Sequence, residues 1–456
     1  MEKKAVREAS FLPPRFSMPT YTLLRIVGKH YLRIVEGISK ISTINIERLY
    51  RGIREHQDGK SILLVLFRHT AKEDAPVLLG CVMGNLAQWC RKNGKKLKDI
   101  PHVHFLYGKD VLNWAGQLSR WLLPRIGGIP VINHKVYRPS MDAIKRALKE
   151  GRFPLAFAPE AQVTYHMFRT SEIAAGATVF TRWAQKENKK VTLLPVAIGY
   201  SYREGFRRLI LDNIEVLSTF LDEKAAVKPD SDYSSLRETL LFLSDRLVSG
   251  LEKIYGETCP ETMHSHMKKG SFPNERERVL SICDRILSYG EKILEIKKQG
   301  DILGRIFRLR YKIVNAIYRE DVDPETLPPM EKTWADYRAF TASYLKRHEE
   351  IIDALEYLDP SYIDGGATEK STLIRMAEFS MILRDITNRI GGGNIDSRYS
   401  PKGKTAHLLF GEPIDIPPSR FGSTESRREA DENIHLAIHE ALEKASSELE
   451  REMGKQ

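Results

Sequence analysis

The chain reads as an α/β protein, a mainly parallel sheet flanked by helices, with a large all-helical insertion before its C-terminal region. Three observations predict this. From residue 61 to about 200, short β-branched runs alternate with helix-like stretches, the pattern of parallel strands joined by helical crossovers. From 216 to 403 the texture changes to long charged helices with no convincing strand. Then "TAHLLFGEPIDIPP" supplies one late strand with a Gly-Glu-Pro turn. A lone strand cannot satisfy its own N–H and C=O groups, so this one is expected to return to the first sheet, making the helical region an insertion.

Residues 1–50 are read as a basic amphipathic helical segment. In "YTLLRIVGKHYLRIVEGISK", Leu23, Leu24, Val27, Tyr31, Ile34, Val35 and Ile38 recur at helical spacing, while Arg25, Lys29 and Arg33 line another side. Such a stripe suits an anionic membrane surface or the domain's own core equally well. The α/β domain occupies 51–215 and 404–456. Its strands are "ILLVLF", "HVHFLYG", "IPVIN", "PLAFAP" and "VTLLPVAIGY". Between them "APVLLGCVMGNLAQWCRK", "SMDAIKRALKEG" and "SEIAAGATVFTRWAQKE" read as helices, the second capped by Ser140 and stopped by Gly151. The first of these suits an acyl channel or ordinary core. The run "GGGN" at 391–394 reads as a helix stop in the insertion, and a last capped helix is expected from about Ser423.

With 42% hydrophobic residues over 456 positions, the chain can bury one large core or two ordinary ones, which excludes a disordered protein. The four cysteines, Cys81, Cys90, Cys259 and Cys283, form no Cys-x-x-Cys pair and are too sparse for a disulfide framework. A reducing compartment and no metal are the expectation. No run of eighteen apolar residues and no apolar signal core in "MEKKAVREASFLPPRF" are present, which points to the cytoplasmic side of a membrane. The net charge of +11 favours polyanionic company. No nucleic-acid motif accompanies it, so a basic nucleic-acid-binding protein lacks further support. "GGATEKS" and "KGKT" each lack a glycine that a phosphate-binding loop requires, at Glu369 and Arg398 respectively, and no Gly-x-Ser-x-Gly elbow occurs.

The candidate chemistry lies in "RHTAKEDAP", where His69 precedes Asp74 by five residues directly after a buried strand. The chain holds its own control, because His348 and Asp353 in "HEEIID" have the same spacing. Inside a continuous helix, residues five apart point about 140° away from each other, so the second pair should not meet. His69 instead leaves a strand, and Pro76 marks the first turn of the following helix, so "TAKE" can turn Asp74 back onto the imidazole. The carboxylate would then fix the tautomer and leave the other ring nitrogen as a general base. Capping roles for both residues remain open at this point. In "PLAFAPEA", Glu160 follows Pro159 at the end of another strand, and parallel strands would bring it to the carboxyl-end rim that also carries His69.

These segments resemble the phospholipid and glycerol acyltransferases, the family of 1-acylglycerol-3-phosphate acyltransferase. "HTAKED" looks like its His-x-x-x-x-Asp block, "GGIPVINHKVYR" like its second block ending in arginine, "FAPEA" like Phe-Pro-Glu-Gly, and "LLPVAIGY" like the fourth block around proline. "FGEPIDI" is similar to the closing strand of that domain. The resemblance covers residues 55–200 and 404–416 and implies a glycerol-phosphate acyltransferase-like fold. It implies transfer of a fatty acyl group from an acyl-CoA or acyl carrier protein thioester to the hydroxyl of a glycerol-phosphate or lysophospholipid-type acceptor, with no other cofactor. By carry-over, His69 deprotonates the hydroxyl and Asp74 orients it. Arg138 and Glu160, with the flanking Pro159 and Ala161, form the acceptor-binding set. Backbone amides in the turn after His69 would support the oxyanion.

The chain departs from the pattern at Ala161, where the family has glycine, at Gln162 and Val163 in place of Thr-Arg, and at Pro139 and Ser140 in place of Glu-Gly. Those changes leave the acceptor unspecified and admit a catalytically inactive scaffold as the rival reading. An enzyme of this class works on bilayer substrates, so an anionic membrane surface is its expected partner. "WAGQLSRWLLPRIGG", with Trp114, Trp121 and Arg125, adds an interface-like mixture of aromatic and basic residues.

Overall fold

The computed structural model describes residues 4–132, 135–224, 227–228, 230–258, 274–418 and 424–455. The chain divides into two compact units, Phe11–Arg203 with Pro401–Gln456, and Met1–Ser10 with Glu204–Ser400. Among the described residues the strands are, in chain order, β1 Val6–Arg7, β2 Ile38–Ile44, β3 Ser61–Phe67, β4 His104–Gly108, β5 Ile129–Val131, β6 Leu155–Phe157, β7 Lys190–Ser201, β8 Tyr318–Arg319, β9 Lys404–Phe410 and β10 Ile414–Ile416.

The first unit is an α/β layer structure around a mixed, mostly parallel sheet of order β2-β9-β7-β3-β6-β4-β5. Strands β3 to β7 run parallel, while β9 is antiparallel to β7 and parallel to β2. Every residue of β3 is buried, which explains why "SILLVLF" shows no alternation of polar and apolar positions. Both faces of a central parallel strand are covered by helices, so both sets of side chains are apolar. Ile62, Leu64 and Leu66 pack with Leu155, Phe157, Val191 and Leu193 in one core cluster.

The late strand does come back to this sheet. β9 pairs with the second half of β7, from Val196↔Phe410 to Ser201↔Thr405, and β10 pairs with the first half, Ile414↔Leu193. Between them a Cβ on Gly411 would stand 2.9 Å from the Pro195 ring, so the chain can step sideways along β7 only with glycine there. The helical insertion therefore leaves from β7 and re-enters through its direct neighbour.

Several sequence expectations need correcting. The N-terminal segment is not helical throughout. Its helix runs Met18–Ile34, capped by Ser17, and Ile38–Ile44 is a strand paired with β9. Gly37, at φ +68°, breaks the helix, and the β-branched residues beyond it suit a sheet. Val6–Arg7 pairs with β8 in the second unit. The insertion begins at Glu204 rather than 216, because the Gly205–Leu221 helix packs within the helical unit, with Asn213 bonded to Ser380 at 2.8 Å.

Ser140 is not a cap. The helix spans Arg138–Glu150, and the Ser140 hydroxyl donates to the Pro130 carbonyl at 2.6 Å; Gly151, at φ +59°, does end it. The third crossover helix starts only at Gly176, because Ser171 and Ala174 donate their amides to Glu160 and Pro159 instead. The helix after His69 contains a π-helical segment, Cys81–Leu86, and its Val77, Leu78, Cys81, Val82 and Leu86 are fully buried core. Cys81, Cys90 and Cys283 are free and buried. Cys259 and Ser423 lie outside the described residues.

The second unit is helical, with long helices at Tyr233–Thr258, Glu275–Ile293, Ile302–Ile317, Pro329–Leu355 and Glu369–Ile390, and the short parallel pair β1–β8. Among the described residues no helix is long and apolar enough to cross a membrane.

Candidate active site

β3 delivers its last residues to the carboxyl-end rim. The Arg68 amide still bonds the Val196 carbonyl of β7 at 2.9 Å, and His69 is the first residue to leave the ladder. The turn that follows folds back around one carboxylate. Asp74 Oδ2 accepts from the amides of Thr70 at 2.6 Å and Ala71 at 2.8 Å, and His69 Nδ1 stands 3.2 Å from the same oxygen. Asp74 Oδ1 accepts from the Tyr200 hydroxyl. With the carboxylate as acceptor, Nδ1 carries the proton, so Nε2 is the basic nitrogen. Nε2 bonds no described residue, and the His69 side chain is 24% exposed while Asp74 is sealed. The pairing expected from "HTAKED" is thus formed. His348 instead bonds Tyr255 at 3.0 Å, and Asp353 bonds Arg310 and Arg389.

Glu160 reaches the same rim, paired with an arginine. Its side chain is wholly buried, with both oxygens 3.0 Å from Arg68 Nε. It also accepts from the amides of Ser171 at 3.0 Å and His69 at 3.3 Å. Arg68, equally buried, spends its remaining donors on Ser446 and the carbonyls of His166 and Arg169. A buried ion pair is tolerable only when its other hydrogen-bonding positions are filled, as they are here. The Glu160 carboxylate thus holds the backbone of His69. Pro159 is buried, its carbonyl accepting from Ala174 at 2.8 Å. Ala161 adopts φ +61°, the left-handed conformation for which glycine is suited, which accounts physically for the residue expected there.

In the turn after His69, Thr70 and Ala71 aim their N–H groups at Asp74, so neither of these two is available to an oxyanion.

Arg138 is exposed at the start of its helix and pairs with no described residue. It follows β5, which lies three places from β3 in the sheet. Asn133 and His134 of the same block lie outside the described residues.

Three residues near the rim escaped sequence reasoning. Lys109, directly after β4, is buried with its ammonium 5.0 Å from the centre of the Tyr137 ring. Its signal was a lysine placed where an apolar strand ends. Tyr200 and Lys404 close around Asp74 and Glu73, with Lys404 Nζ 2.9 Å from a Glu73 oxygen. Burial, followed by the Asp74 charge, raises the Tyr200 phenol well above its usual range, so it remains a donor. Burial lowers Lys404, against the pull of Glu73.

No family model, no curated protein and no solved structure matches this chain.

Among the described residues no group of three or more His, Cys, Asp or Glu side chains is arranged to hold a metal ion. The arrangement at the rim is a partly exposed imidazole with a sealed carboxylate behind it, a geometry that can take up a proton at Nε2.

Proposed function

We propose that the chain is an O-acyltransferase that moves a fatty acyl group from an acyl-CoA or acyl carrier protein thioester to the hydroxyl of a glycerol-phosphate or lysophospholipid-type acceptor. The observation that carries this reading is the His69–Asp74 pair, with the outer edge of the imidazole exposed at the carboxyl rim of a mostly parallel sheet. His69 Nε2 takes the proton of the acceptor hydroxyl as its oxygen attacks the thioester carbonyl. The resulting imidazolium, stabilised by Asp74, returns that proton to the departing sulfur as the ester forms. Arg138, exposed after β5, supplies a cation for a phosphate group of the substrates.

An exposed apolar and basic surface supports the reading of lipid substrates. On the Met18–Ile34 helix the apolar face formed by Leu23, Ile26, Val27, Tyr31 and Ile34 is exposed, with Ile26 at 68% and Ile34 at 69%, rather than packed on the core. Arg25, Lys29 and Arg33 are also exposed. In the same unit Trp114, Leu118 and Trp121 are exposed, with the Arg125 guanidinium 4.8 Å from the Trp121 ring centre. A basic amphipathic surface of this composition suits peripheral attachment to an anionic leaflet on its cytoplasmic side.

The sealed Glu160 and the Thr70 and Ala71 amides spent on Asp74 favour a second reading, an inactive acyltransferase-like scaffold. One assay separates them. Incubated with a long-chain acyl-CoA and a panel of lysophospholipids and glycerol phosphate, the protein is expected to release thiol. His69→Ala abolishes the release and His348→Ala does not. Equal rates in both variants, or no release with any acceptor or acyl carrier protein donor, removes the enzyme reading.

A further inference from the structure

The whole helical unit, Glu204–Ser400, is spliced between the end of β7 and the start of β9; beside one splice point Tyr200 bonds Asp74, and beside the other Lys404 bonds the neighbouring Glu73. β3 pairs with β7 only as far as Phe67↔Val196. β7 then runs on to Ser201 with β9 on its other edge, so Tyr200, opposite Ala406, lies alongside the turn that carries Asp74. The phenol is fully enclosed and donates to Asp74 Oδ1, the oxygen that the turn amides leave open. Lys404, the first residue of β9, pairs with Glu73, and its ammonium lies 5.3 Å from the centre of the Tyr200 ring.

We infer that Tyr200 is a positioning residue for the His69–Asp74 pair: it ties down Oδ1 so that Oδ2 stays on the imidazole, while Lys404 balances Glu73 beside it. The inference rests on the proposed acyl transfer for its kinetic consequence but not for its structural one. Its logic is electrostatic. A buried carboxylate with one oxygen stripped of its donor becomes more basic, rotates toward other donors, and draws harder on the Nδ1 proton. The charged and titratable groups around this cluster are Arg68 and Glu160 behind His69, Glu73 and Lys404 beside Asp74, Tyr202 near Tyr200, and Glu36 near Lys404. Tyr200 is the group among them that removes negative charge from Asp74 by a hydrogen bond from a side chain other than the imidazole.

Tyr200→Phe in the full chain, with ¹⁵N-histidine labelling and the His69 ring signals assigned through His69→Ala, tests this. The wild-type ring is expected to show the Nδ1-protonated pattern, and Tyr200→Phe is expected to perturb it. In the thioester assay kcat falls about tenfold or more with KM for the acyl thioester unchanged, and the acid limb of the pH–rate profile moves up by about one pH unit. Lys404→Met shifts the same limb upward, because the Glu73 charge is then uncompensated. A changed ring pattern in a protein with no acyl transfer sinks the proposed activity and leaves the positioning role standing. Unaltered ring signals and an unmoved acid limb in folded Tyr200→Phe overturn the positioning role. Should that variant fail to fold, wild-type protein labelled on tyrosine decides: a slowly exchanging downfield Tyr200 hydroxyl proton is expected, and its absence overturns the inference.

Discussion

His69 Nδ1 and Asp74 Oδ2 are 3.2 Å apart, while His348 and Asp353, at the same spacing in sequence, bond to different partners. The difference lies in what connects each pair. A helix separates residues five apart, whereas the turn after β3 curls around the carboxylate with two amides before the helix begins.

Arg68 and Glu160 make the backbone beneath His69 a place of high electrostatic stake. Glu160→Gln leaves a sealed guanidinium without its counter-charge, and an unfolding free energy lower by about 3–5 kcal/mol is expected from urea denaturation. Arg68→Met combined with Glu160→Leu should recover much of that loss. A single variant as stable as wild type would show that the pair is not sealed in solution.

Ala161 occupies a left-handed backbone position at φ +61°. Ala161→Gly relieves a clash between Cβ and its own carbonyl, against some loss of chain stiffness, so a net gain of about 1 kcal/mol is expected in the same denaturation experiment. A loss of stability would mean that the methyl group contributes more packing than the conformation costs.

The exposed face of the Met18–Ile34 helix predicts vesicle binding. Truncating the N-terminus is a poor test, because Ile38–Ile44 belongs to the sheet. Ile26→Glu with Ile34→Glu leaves the core alone and should weaken co-sedimentation with anionic vesicles by about tenfold or more, given roughly 1.5–3 kcal/mol per buried aliphatic side chain. Binding equal to wild type would exclude this helix as the attachment point.

Acid should loosen the α/β unit. Burial holds His56 down at about 4 and His102 at about 3, both below the ordinary 6.5. The unfolded chain therefore binds more protons than the folded one below pH 6.5. Their stabilisation is complete above that pH and is lost as pH falls toward 3 to 4, at about 1.4 kcal/mol per pKa unit for each group. Urea midpoints followed by tryptophan fluorescence are expected to drop between pH 7.5 and 4.5, and less so in His102→Gln. An unchanged slope in that variant would remove His102 as a contributor.

The strands from residue 61 to 201 were legible because buried parallel strands are written as unbroken apolar runs between glycine, proline and charge. The return of β9 was legible because an isolated strand is untenable. β2 was not, since "ISKISTI" has the polar content of an edge strand and follows a helix with no break but Gly37. At the site, His69 and Asp74 follow from local chain geometry. The pairing of Glu160 with Arg68 does not, because an arginine at the end of an apolar run looks the same whether it faces water or a carboxylate. Tyr200 and Lys404 are further out of reach still: their meeting depends on the register between β7 and β9, set across an insertion of some two hundred residues.

That register has a consequence for how the molecule is made. Once β7 has left the ribosome, one of its edges has no mate until β9 appears, which at about 5–20 residues per second means a wait of roughly 10–40 s. Throughout that interval a long apolar strand offers unpaired amides and carbonyls to any passing chain, and nascent-chain helpers that shield such an edge should govern the yield of soluble product.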